Sequence, residues 1–296
     1  MNFGVPADII KQDFSLSAVS SMRTGGKAKY AFFPKTREQL IHILKATQDE
    51  KNRLVVGNSS NILFPDDASH LTVIFTTKMT NCEKTGDFGI YSSCGTMLTE
   101  ISLHAAKRSL TGLEFAFGIP GTLGGGVFMN AGAYGGELSN VIKSVDVFDT
   151  LTGEEYAIPV QECRFSYRHS IFMENKNLVV LGALLELAPG NADEITAKNR
   201  ANMNARREKQ PLEFPSCGSA FKRPEGHFAG KLIEDCGLKG FSIGGAAISE
   251  KHAGFVINCG GATSADVRNL MDEVTKRVFE KFGVTLCPEI EITEEP

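Results

Sequence analysis

A glycine-dense segment from Gly112 to Gly136 contains the residues that most directly suggest ligand chemistry. Glycine adopts positive φ without steric cost and lets the backbone approach a ligand closely. Successive backbone N–H groups in such a segment form a concave site for an anion. A long loop of this composition is usually functional. The segment therefore predicts a binding loop for a ligand that contains a pyrophosphate.

The spacing of these glycines matches neither common phosphate-binding motif. A P-loop ends in Gly-Lys-Ser/Thr, whereas this segment has Gly125–Val127. A Rossmann fingerprint reads G-x-G-x-x-G, whereas Gly118, Gly121 and Gly124 are three positions apart. Spacing alone leaves the identity of the ligand open.

Three other segments carry groups that suit an anion. Gly57–Asn61 offers backbone N–H groups, hydroxyls and amides, although a plain turn is an equally good interpretation. Ser21–Gly26 contains Arg23, which is available for a phosphate. Arg206–Lys209 is the one local basic cluster. From the residues alone it is interpreted as the C-terminal turn of a helix, where cations favour the helix dipole.

The elements that position these segments follow from apolar periodicity. Thr36–Gln39 has the form of a capping box, and it predicts a helix that gives way at Asn52. Apolar runs predict strands at 54–56, 62–64 and 71–77. The further predicted elements are a strand at 90–91, a helix over 97–105, a hairpin of strands 145–148 and 155–158, a strand at 178–187, helices over 193–209, 228–236 and 267–282, and strands at 285–286 and 290–292.

Composition excludes several classes of function. The chain has 296 residues and a net charge of -4, so it lacks the basic surplus of a nucleic-acid-binding protein. It shows no signal peptide, and no apolar run approaches the ~20 residues that span a bilayer, so a cytoplasmic protein is expected. No two cysteines of the chain have the C-x-x-C spacing of a zinc site, so no metal site is expected. Seven scattered cysteines are expected to be small buried hydrophobic residues: Cys82, Cys94, Cys163, Cys217, Cys236, Cys259 and Cys287.

Two glycine-rich stretches resemble the signature of UDP-N-acetylenolpyruvoylglucosamine reductases. These stretches are Gly118–Gly125 and Met129–Glu137. Val56–Leu63 is similar to the first FAD loop of that family, and Arg23–Gly26 resembles its N-terminal flavin segment.

Three further segments extend the resemblance along the chain. Phe165–Phe172 matches the family segment with the active-site arginine, Pro215–Lys222 matches the segment with the serine acid, and Pro288–Ile290 stands where the family has its catalytic glutamate. The matches occur in order from about residue 20 to 292. Together they are far more specific than any single loop.

The resemblance implies an α+β protein. Its FAD-binding domain would be of the vanillyl-alcohol-oxidase (PCMH) type, with two subdomains, followed by a C-terminal α+β substrate-binding domain. The modest length, with Ala229–Glu234 and Gly237–Gly240, resembles the shorter subclass of the family. The implied divisions are an N-terminal segment packing with the substrate domain (1–20), FAD-binding subdomain 1 (21–78), FAD-binding subdomain 2 (79–190) and the substrate-binding domain (191–296).

The implied activity is reduction of UDP-N-acetyl-3-O-(1-carboxyvinyl)-glucosamine to UDP-N-acetylmuramate, a step in peptidoglycan precursor synthesis. NADPH would supply hydride through a noncovalent FAD, and the protein would be a monomer. The implied substrate contacts are Lys209, Tyr134 and Arg223, although the family often has asparagine at this last position. The implied cofactor contacts are Arg23, Thr24, Gly25, Gly57, Asn58, Ser59, Ser60, Asn61, Gly118, Ile119, Pro120, Gly121, Thr122, Gly124, Gly125, Asn130, Ala131 and Gly132.

Three residues take catalytic roles under this resemblance. Hydride added to the terminal carbon of the enol ether leaves negative charge on the α carbon and its carboxylate, which needs aligned donors. Arg168 would supply a fork for the carboxylate, and Glu289 would hydrogen-bond near it. Ser219 would donate the proton, with Ser216 as its nearest competitor. Without the resemblance, surface or loop roles would be the better interpretation of all three.

Two rival functions remain at this level. One is another FAD-dependent oxidase or dehydrogenase of the same fold, acting on a hydroxy acid or alcohol. The other is a nucleotide-sugar-binding protein without catalysis. The segments around Ser219 and Glu289 argue against the first rival, and the presence of Arg168, Ser219 and Glu289 together argues against the second.

Overall fold

The computed structural model describes residues 3–294. These residues form two compact units, each assembled from separate stretches of chain. Residues 1–2 of the expected N-terminal segment and 295–296 of the expected substrate domain lie outside the described residues. The first unit contains residues 3–11, Tyr30–Asn58 and Thr72–Ala205, and the second unit contains Gln12–Lys29, Ser59–Leu71 and residues 206–294.

Helices and short strands alternate along the chain. The strands are β1 (Ile10–Ser15), β2 (Lys27–Phe32), β3 (Arg53–Val56), β4 (Ile62–Leu63), β5 (Thr72–Phe75), β6 (Cys82–Thr85), β7 (Gly89–Ser93), β8 (Leu110–Thr111), β9 (Gly132–Ala133), β10 (Gly136–Glu137), β11 (Ile142–Asp149), β12 (Glu155–Pro159), β13 (Leu178–Glu186), β14 (Ala188–Pro189), β15 (Ser216–Ser219), β16 (Ser242–Ile243), β17 (Ala246–Ile248), β18 (Phe255–Asn258) and β19 (Glu291–Ile292). The α-helices are α1 (Arg37–Ala46), α2 (Leu98–Ala106), α3 (Leu123–Phe128), α4 (Ile171–Glu174), α5 (Ala192–Lys209), α6 (Ala229–Asp235) and α7 (Ser264–Phe282). Short 3-10 helices lie at Ala7–Ile9, Leu16–Ala18, Thr76–Lys78, Glu114–Ala116, Leu138–Asn140 and Val160–Glu162.

Two larger sheets organise the first part of the fold. The order β1-β2-β5-β3 contains parallel pairs of β5 with β2 and with β3, and α1 makes the crossover that a parallel connection needs. The order β12-β11-β13-β7-β6 is antiparallel throughout. β13 is buried along nearly its whole length, as the continuous apolar run of its sequence predicts for a central strand.

The second unit has a separate apolar core. Its antiparallel sheet has the order β15-β18-β17-β16, and α6 and α7 pack in the same unit. Five apolar residues on one face of α7 are buried: Val267, Leu270, Met271, Val274 and Val278. The helix begins at a capping box formed by Thr263 and Asp266, and it ends at Gly283, which has φ 67°. These signals explain why the sequence predicts this helix so well.

A long-range cap also holds the start of α7. The carboxylate of Asp66 accepts hydrogen bonds from the backbone N–H groups of Ser264 (2.8 Å) and Ala265 (2.9 Å), which lie almost 200 positions away in sequence. A carboxylate at a helix N-terminus satisfies donors that have no partner within the helix, and it complements the positive end of the dipole.

We expect Asp66→Ala to lower the free energy of unfolding by about 1–2 kcal/mol, because the variant leaves two donors of α7 without their acceptor. Urea unfolding followed by circular dichroism measures the loss. Asp272→Ala is the matched control, since it removes the same charge from an exposed position on α7. Equal midpoints for the two variants would mean that the Asp66 cap does not stabilise the protein.

The prediction that the glycine-dense segment is a loop throughout was wrong at its centre. Residues Leu123–Phe128 form α3, and the side chain of Thr122 accepts a hydrogen bond from the N–H of Gly125 at 3.4 Å. A Cβ on Gly126 would lie 2.8 Å from the Leu138 side chain, and one on Gly124 would lie 3.0 Å from Cys94. Close packing, rather than backbone freedom alone, therefore explains glycine at these two positions.

Two predicted element bounds were also wrong. The predicted strand at 285–286 is absent: both residues lie outside any strand, and the nearest pairing is an isolated bridge between Pro288 and Phe221. The helix α1 ends at Ala46 rather than at Asn52, and of the polar residues between them only Thr47 is buried.

The prediction that all seven cysteines are buried was correct for three of them. Cys94, Cys163 and Cys217 are buried, but Cys82 and Cys236 are half-buried, and Cys259 and Cys287 are exposed. The two exposed cysteines lie in segments outside regular structure, where no packed face covers them.

Candidate active site

In the first unit, two of the predicted ligand loops lie against each other. The side-chain amide of Asn58 donates a 2.7 Å hydrogen bond to the carbonyl of Pro120. A Cβ on Gly57 would lie 2.1 Å from Oγ1 of Thr122, so only glycine fits this close approach. The loop after β3 and the turn before α3 therefore form one surface, as expected for loops that bind a common ligand.

The beginning of the glycine-dense segment is fixed by a buried carboxylate. Glu114 is buried, and it accepts hydrogen bonds from Oγ1 of Thr111 (2.5 Å) and from the N–H of Gly112 (3.0 Å). Burial works to raise the pKa of Glu114, but the hydrogen bonds from Thr111, from Gly112 and from its own backbone, together with the positive charge of Lys198, outweigh it and lower the pKa. The carboxylate therefore stays charged and holds this end of the segment in place.

In the second unit, the N-terminal flavin segment packs against the other end of the Gly57–Asn61 loop. The N–H of Ser21 donates to the carbonyl of Ser59 at 3.2 Å. The hydroxyls of Thr24 and Ser59 are buried, and neither has a hydrogen-bond partner among residues 3–294. A buried hydroxyl without a partner costs about 1–3 kcal/mol. A polar ligand that supplies those partners fits this pair, and the pyrophosphate and ribose oxygens of FAD are groups of that kind.

Arg23 borders a cavity within the second unit. The cavity measures about 380 Å³, and its lining residues are Arg23, Phe214, Pro215, Asn258, Cys259, Gly260 and Gly261. Asn258 is buried, and its side chain donates to the carbonyl of Met22 (2.9 Å) and accepts from the N–H of Gly260 (2.9 Å). Asn258 thus joins the Arg23 segment to the end of β18. Asn258 was not among the residues predicted from sequence, although the two glycines after Cys259 were an available signal.

Ser219 lies at a bulge at the end of β15. The register of β15 against β18 shifts between Ser216 and Ser219, and Ser219 faces Phe255 across the pair. Gly218 has φ 76°, with open space where its Cβ would point. Cys217 is buried, with its thiol 3.4 Å from the carbonyl of Ile62, and burial raises its pKa to about 12. Ser219 is half-buried instead.

Glu289 lies in the segment next to Ser219. Its N–H donates to the carbonyl of Ala220 at 2.9 Å. The side chain of Asn61 donates to the carbonyl of Glu289 at 2.9 Å, and the N–H of Glu291 donates to the carbonyl of Asn61 at 2.9 Å. The second unit therefore joins Asn61 to Glu289 and pairs Glu289 with Ala220, the residue that follows Ser219, although these positions are far apart in sequence.

Arg168 occupies a tight turn in the first unit. Ser166 and His169 close this turn with reciprocal backbone hydrogen bonds of 3.2 Å, and Arg168 has φ 53°. Its Nη2 donates to the carbonyl of Gly132 at 3.0 Å, and its guanidinium lies 5.1 Å from the ring centroid of Tyr167. The hydrogen bond and the ring contact fix the direction of the guanidinium.

Tyr134 lies on the hairpin that Arg168 contacts. The strands β9 and β10 pair around Tyr134 and Gly135, which have φ 51° and 82°. Positive φ at both central residues is typical of a two-residue type I′ turn. The Tyr134 side chain is exposed at the tip of this turn.

Left-handed backbone is frequent among the predicted site residues of each unit. Eight non-glycine residues in the described part of the chain have φ between 47° and 58°, and five of them are predicted site residues: Arg23, Ser59, Asn130, Tyr134 and Arg168. Such conformations cost energy, and they cluster at ligand sites, where the surrounding structure enforces them. The backbone thus supports these five positions independently of the sequence motifs.

The remaining predicted contacts have varied surroundings. Lys209 is exposed and is the last residue of α5. The basic cluster therefore lies in the last turn of a helix, as the sequence predicted. The guanidinium of exposed Arg223 lies 4.7 Å from the centroid of the Phe228 ring. Ile119 packs against the core of the first unit, and Ala131 is buried in it. Across residues 3–294, no group of three or more His, Cys, Asp or Glu side chains is arranged to hold a metal ion.

Comparisons with known proteins decide the family. Residues 210–293 match the model described as UDP-N-acetylenolpyruvoylglucosamine reductase, C-terminal domain, and residues 28–157 match an FAD binding domain. A UDP-N-acetylenolpyruvoylglucosamine reductase of Caldicellulosiruptor bescii is 47% identical over 96% of this chain and 90% of its own length. This chain belongs to the UDP-N-acetylenolpyruvoylglucosamine reductase family. A reductase of the same name from Lactobacillus acidophilus is 46% identical over 96% of this chain and 94% of its own length.

A solved structure of this family has the same fold. The UDP-N-acetylenolpyruvylglucosamine reductase of Thermus caldophilus matches with a TM-score of 0.80 and 30% identity, over 96% of this chain and 98% of that chain. The family prediction, the FAD-binding fold with a C-terminal domain, and FAD as cofactor are confirmed. As a member of this reductase family, the chain is an FAD-dependent oxidoreductase. Within residues 3–294, no helix has the length and apolarity needed to cross a membrane.

Proposed function

We propose that this chain reduces the enolpyruvyl ether of UDP-N-acetyl-3-O-(1-carboxyvinyl)-glucosamine to UDP-N-acetylmuramate, with NADPH as hydride donor. The product is a precursor of peptidoglycan. The observation that carries the proposal is similarity to reductases of this name over 96% of the chain. The pairing of the Ser219 and Glu289 segments within the second unit supports it, because the implied acid and the implied polarising carboxylate serve the same reaction.

Two sets of residues suit the cofactor. In the second unit, the buried hydroxyls of Thr24 and Ser59 have no hydrogen-bond partner among the described residues. In the first unit, Gly57, Asn58 and Thr122 form the surface between the two loops. Held by these residues, FAD would supply the redox chemistry for hydride transfer from NADPH to the terminal carbon of the substrate. No histidine occurs among the implied cofactor contacts, so the proposal is a noncovalent flavin.

The side chains of the protein handle the charge and the proton. The Arg168 guanidinium binds the substrate carboxylate and stabilises the negative charge that develops there when hydride arrives. The Ser219 hydroxyl donates its proton to the α carbon, which forms the new C–H bond, and the resulting alkoxide regains a proton from solvent. Glu289 hydrogen-bonds near the carboxylate. Lys209, Tyr134 and Arg223 bind the nucleotide-sugar portion of the substrate, where lysine and arginine suit its pyrophosphate.

The domain division belongs to the same proposal. Subdomains at 21–78 and 79–190 bind FAD, and residues 191–296 bind the substrate. Of the expected N-terminal segment, residues 3–11 belong to the first unit, where Phe3 and Ile9 are buried in the core, so packing with the substrate domain is proposed for residues 12–20. The FAD-binding match at 28–157 and the C-terminal match at 210–293 are compatible with these bounds. We also infer a monomer in the cytoplasm, a compartment that suits seven free cysteines. Light scattering of the purified protein tests the monomer.

The cofactor prediction has a direct test. The purified protein should be yellow, and heat denaturation followed by filtration should release FAD into the filtrate. A filtrate that contains FMN, or flavin that stays with the precipitated chain, would contradict the assignment of the cofactor residues. A colourless protein that does not take up FAD would instead favour the non-catalytic nucleotide-sugar-binding alternative.

Substrate specificity separates the proposed reductase from an oxidase of the same fold. NADPH oxidation should depend on the enolpyruvyl nucleotide sugar and should produce UDP-N-acetylmuramate, which mass spectrometry detects as a gain of two hydrogen atoms. Oxygen consumption with simple alcohols or hydroxy acids, without NADPH consumption, would contradict the proposal and would indicate an FAD-dependent oxidase of the same fold.

A further inference from the structure

Asn130 is fully enclosed, as is one other polar residue among the predicted cofactor contacts, Thr122. The exposed fraction of Asn130 is 0%, and its φ is 47°. Asparagine enters this left-handed region far more readily than most residues with a side chain. An amide buried in this way needs partners at both ends, since an unpaired polar group in the interior is costly.

Both ends of the Asn130 amide are engaged within the first unit. Its Oδ1 accepts a 3.0 Å hydrogen bond from the N–H of Ser139. Its Nδ2 donates a 3.1 Å hydrogen bond to the carbonyl of Ser166. The side chain thus joins the 3-10 helix after β10 to the turn that carries Arg168.

Two further bonds attach the same turn to the same stretch of chain. The hydroxyl of Ser170, which has an exposed fraction of 0%, donates to the carbonyl of Phe128 at 2.5 Å. Arg168 itself donates to the carbonyl of Gly132 at 3.0 Å. Three hydrogen bonds therefore link residues 166–170 to residues 128–132. Asn130 and Ser170 hold the backbone on the two sides of Arg168, and the third bond orients its guanidinium.

We infer that Asn130 is a positioning residue for Arg168: its side-chain amide holds the Ser166–His169 turn in the conformation that presents the guanidinium to the substrate carboxylate. The inference rests on the proposed function for the role of Arg168. It assigns the Asn130 side chain to the turn rather than to direct contact with the flavin. A displacement of this turn moves the guanidinium, and misplacement of about 1 Å can cost on the order of 100-fold in rate.

The test uses the FAD-loaded protein and the variant Asn130→Gly. Glycine accepts the left-handed φ, so the variant removes the amide and leaves the backbone free to keep its conformation. Stopped-flow absorbance should show FAD content and flavin reduction by NADPH near the wild-type values. Reoxidation by the enolpyruvyl nucleotide sugar should fall about 10- to 100-fold, the rate equivalent of one buried hydrogen bond. Loss of FAD, with normal reoxidation of the remaining holoenzyme, would assign the side chain to the cofactor and overturn the inference.

A double-mutant cycle shows whether Asn130 acts through Arg168. In the Arg168→Lys background, Asn130→Gly should slow reoxidation less than threefold, because the guanidinium that it positions is already gone. Multiplicative losses would mean that Asn130 acts independently of Arg168. Ser170→Ala should reproduce the pattern of Asn130→Gly from the other side of the turn, so the inference does not depend on one variant. Asn140→Ala is the control: it removes a nearby exposed amide that accepts from the N–H of Glu137 and should behave as wild type.

Limited trypsin digestion measures the turn without any reaction. Cleavage after Arg168, mapped by mass spectrometry, should be at least several-fold faster in Asn130→Gly than in wild type or Asn140→Ala. Unchanged cleavage would show that the amide does not hold the turn. The digestion also tests the role of Asn130 separately from the proposed function. If wild-type reduced flavin is not reoxidised by the nucleotide sugar, the proposed function fails, whereas the digestion still decides whether Asn130 fixes the turn.

Discussion

Replacing Ser219 with alanine is expected to leave flavin reduction by NADPH close to the wild-type rate and to slow reoxidation by the enolpyruvyl substrate by about 10²–10⁴-fold. The reason is that the two half-reactions differ in their need for a proton donor. Flavin reduction delivers no proton to the substrate, whereas reoxidation creates a carbanion at the α carbon that must be protonated. A single stopped-flow experiment at the flavin absorbance band measures both steps.

The surroundings of Ser219 make alanine a mild change for the fold. The residue is half-buried at the end of β15, where the pairing with β18 is already interrupted by a bulge. The buried residue of this strand is Cys217, whose thiol donates a hydrogen bond to the carbonyl of Ile62. Removing the Ser219 hydroxyl therefore leaves the packing of the strand in place.

Two variants sharpen the assignment. Ser219→Cys should recover part of the lost rate, because a thiol also donates a proton. Ser216→Ala is the matched control, since it removes the same hydroxyl from the other end of the same strand, and it should behave nearly as wild type. If Ser219→Ala slowed flavin reduction instead, or left reoxidation fast, Ser219 would not be the acid.

Local sequence signals predicted several elements of the fold well. The capping box and apolar stripe of α7 and the hairpin of β11 and β12 depend on neighbours in sequence, and both occur close to their predicted positions. The strands β1 and β2 were missed, because their alternation of charged and apolar residues is short and their partners come from distant parts of the chain.

The helix α3 shows why composition misleads in a glycine-dense segment. Glycine costs about 1 kcal/mol relative to alanine in a helix interior, so three consecutive glycines predict a loop. The helix forms because its glycines fit against Cys94 and Leu138, and Thr122 caps its first turn. Those contacts are tertiary, so no local pattern reports them.

The candidate site was predictable in its parts but not in its assembly. Glycine loops and a lone arginine suggested anion binding from residue type alone. The pairing of Glu289 with Asn61, 228 positions away, and with Ala220 is a property of the folded chain. Without the family resemblance, Ser219 and Glu289 would have remained ordinary loop and strand-end residues. The role of the Asn130 side chain likewise emerged only from its partners in the folded chain.

Replacing Arg168 with lysine is expected to lower the rate of substrate reduction by about 10²–10³-fold, the cost of removing one well-placed donor from a developing anion. Lysine keeps the positive charge but loses the planar fork that binds a carboxylate through two parallel hydrogen bonds. It also loses the Nη2 bond to the carbonyl of Gly132, which fixes the direction of the guanidinium. FAD content and flavin reduction by NADPH should remain unchanged, because neither step involves the substrate carboxylate.

The chain offers a closely matched control for Arg168→Lys in Arg164, four residues earlier. Arg164 also has left-handed backbone, with φ 50°, and it forms an exposed 2.9 Å ion pair with Glu174. Exposed pairs of this kind contribute little, so Arg164→Lys should keep wild-type kinetics in both half-reactions. The comparison holds the substitution and the backbone conformation constant and changes only which guanidinium is lost. Near-normal reoxidation in Arg168→Lys would remove Arg168 from the mechanism, whereas an equal loss in both variants would trace the effect to the loop as a whole.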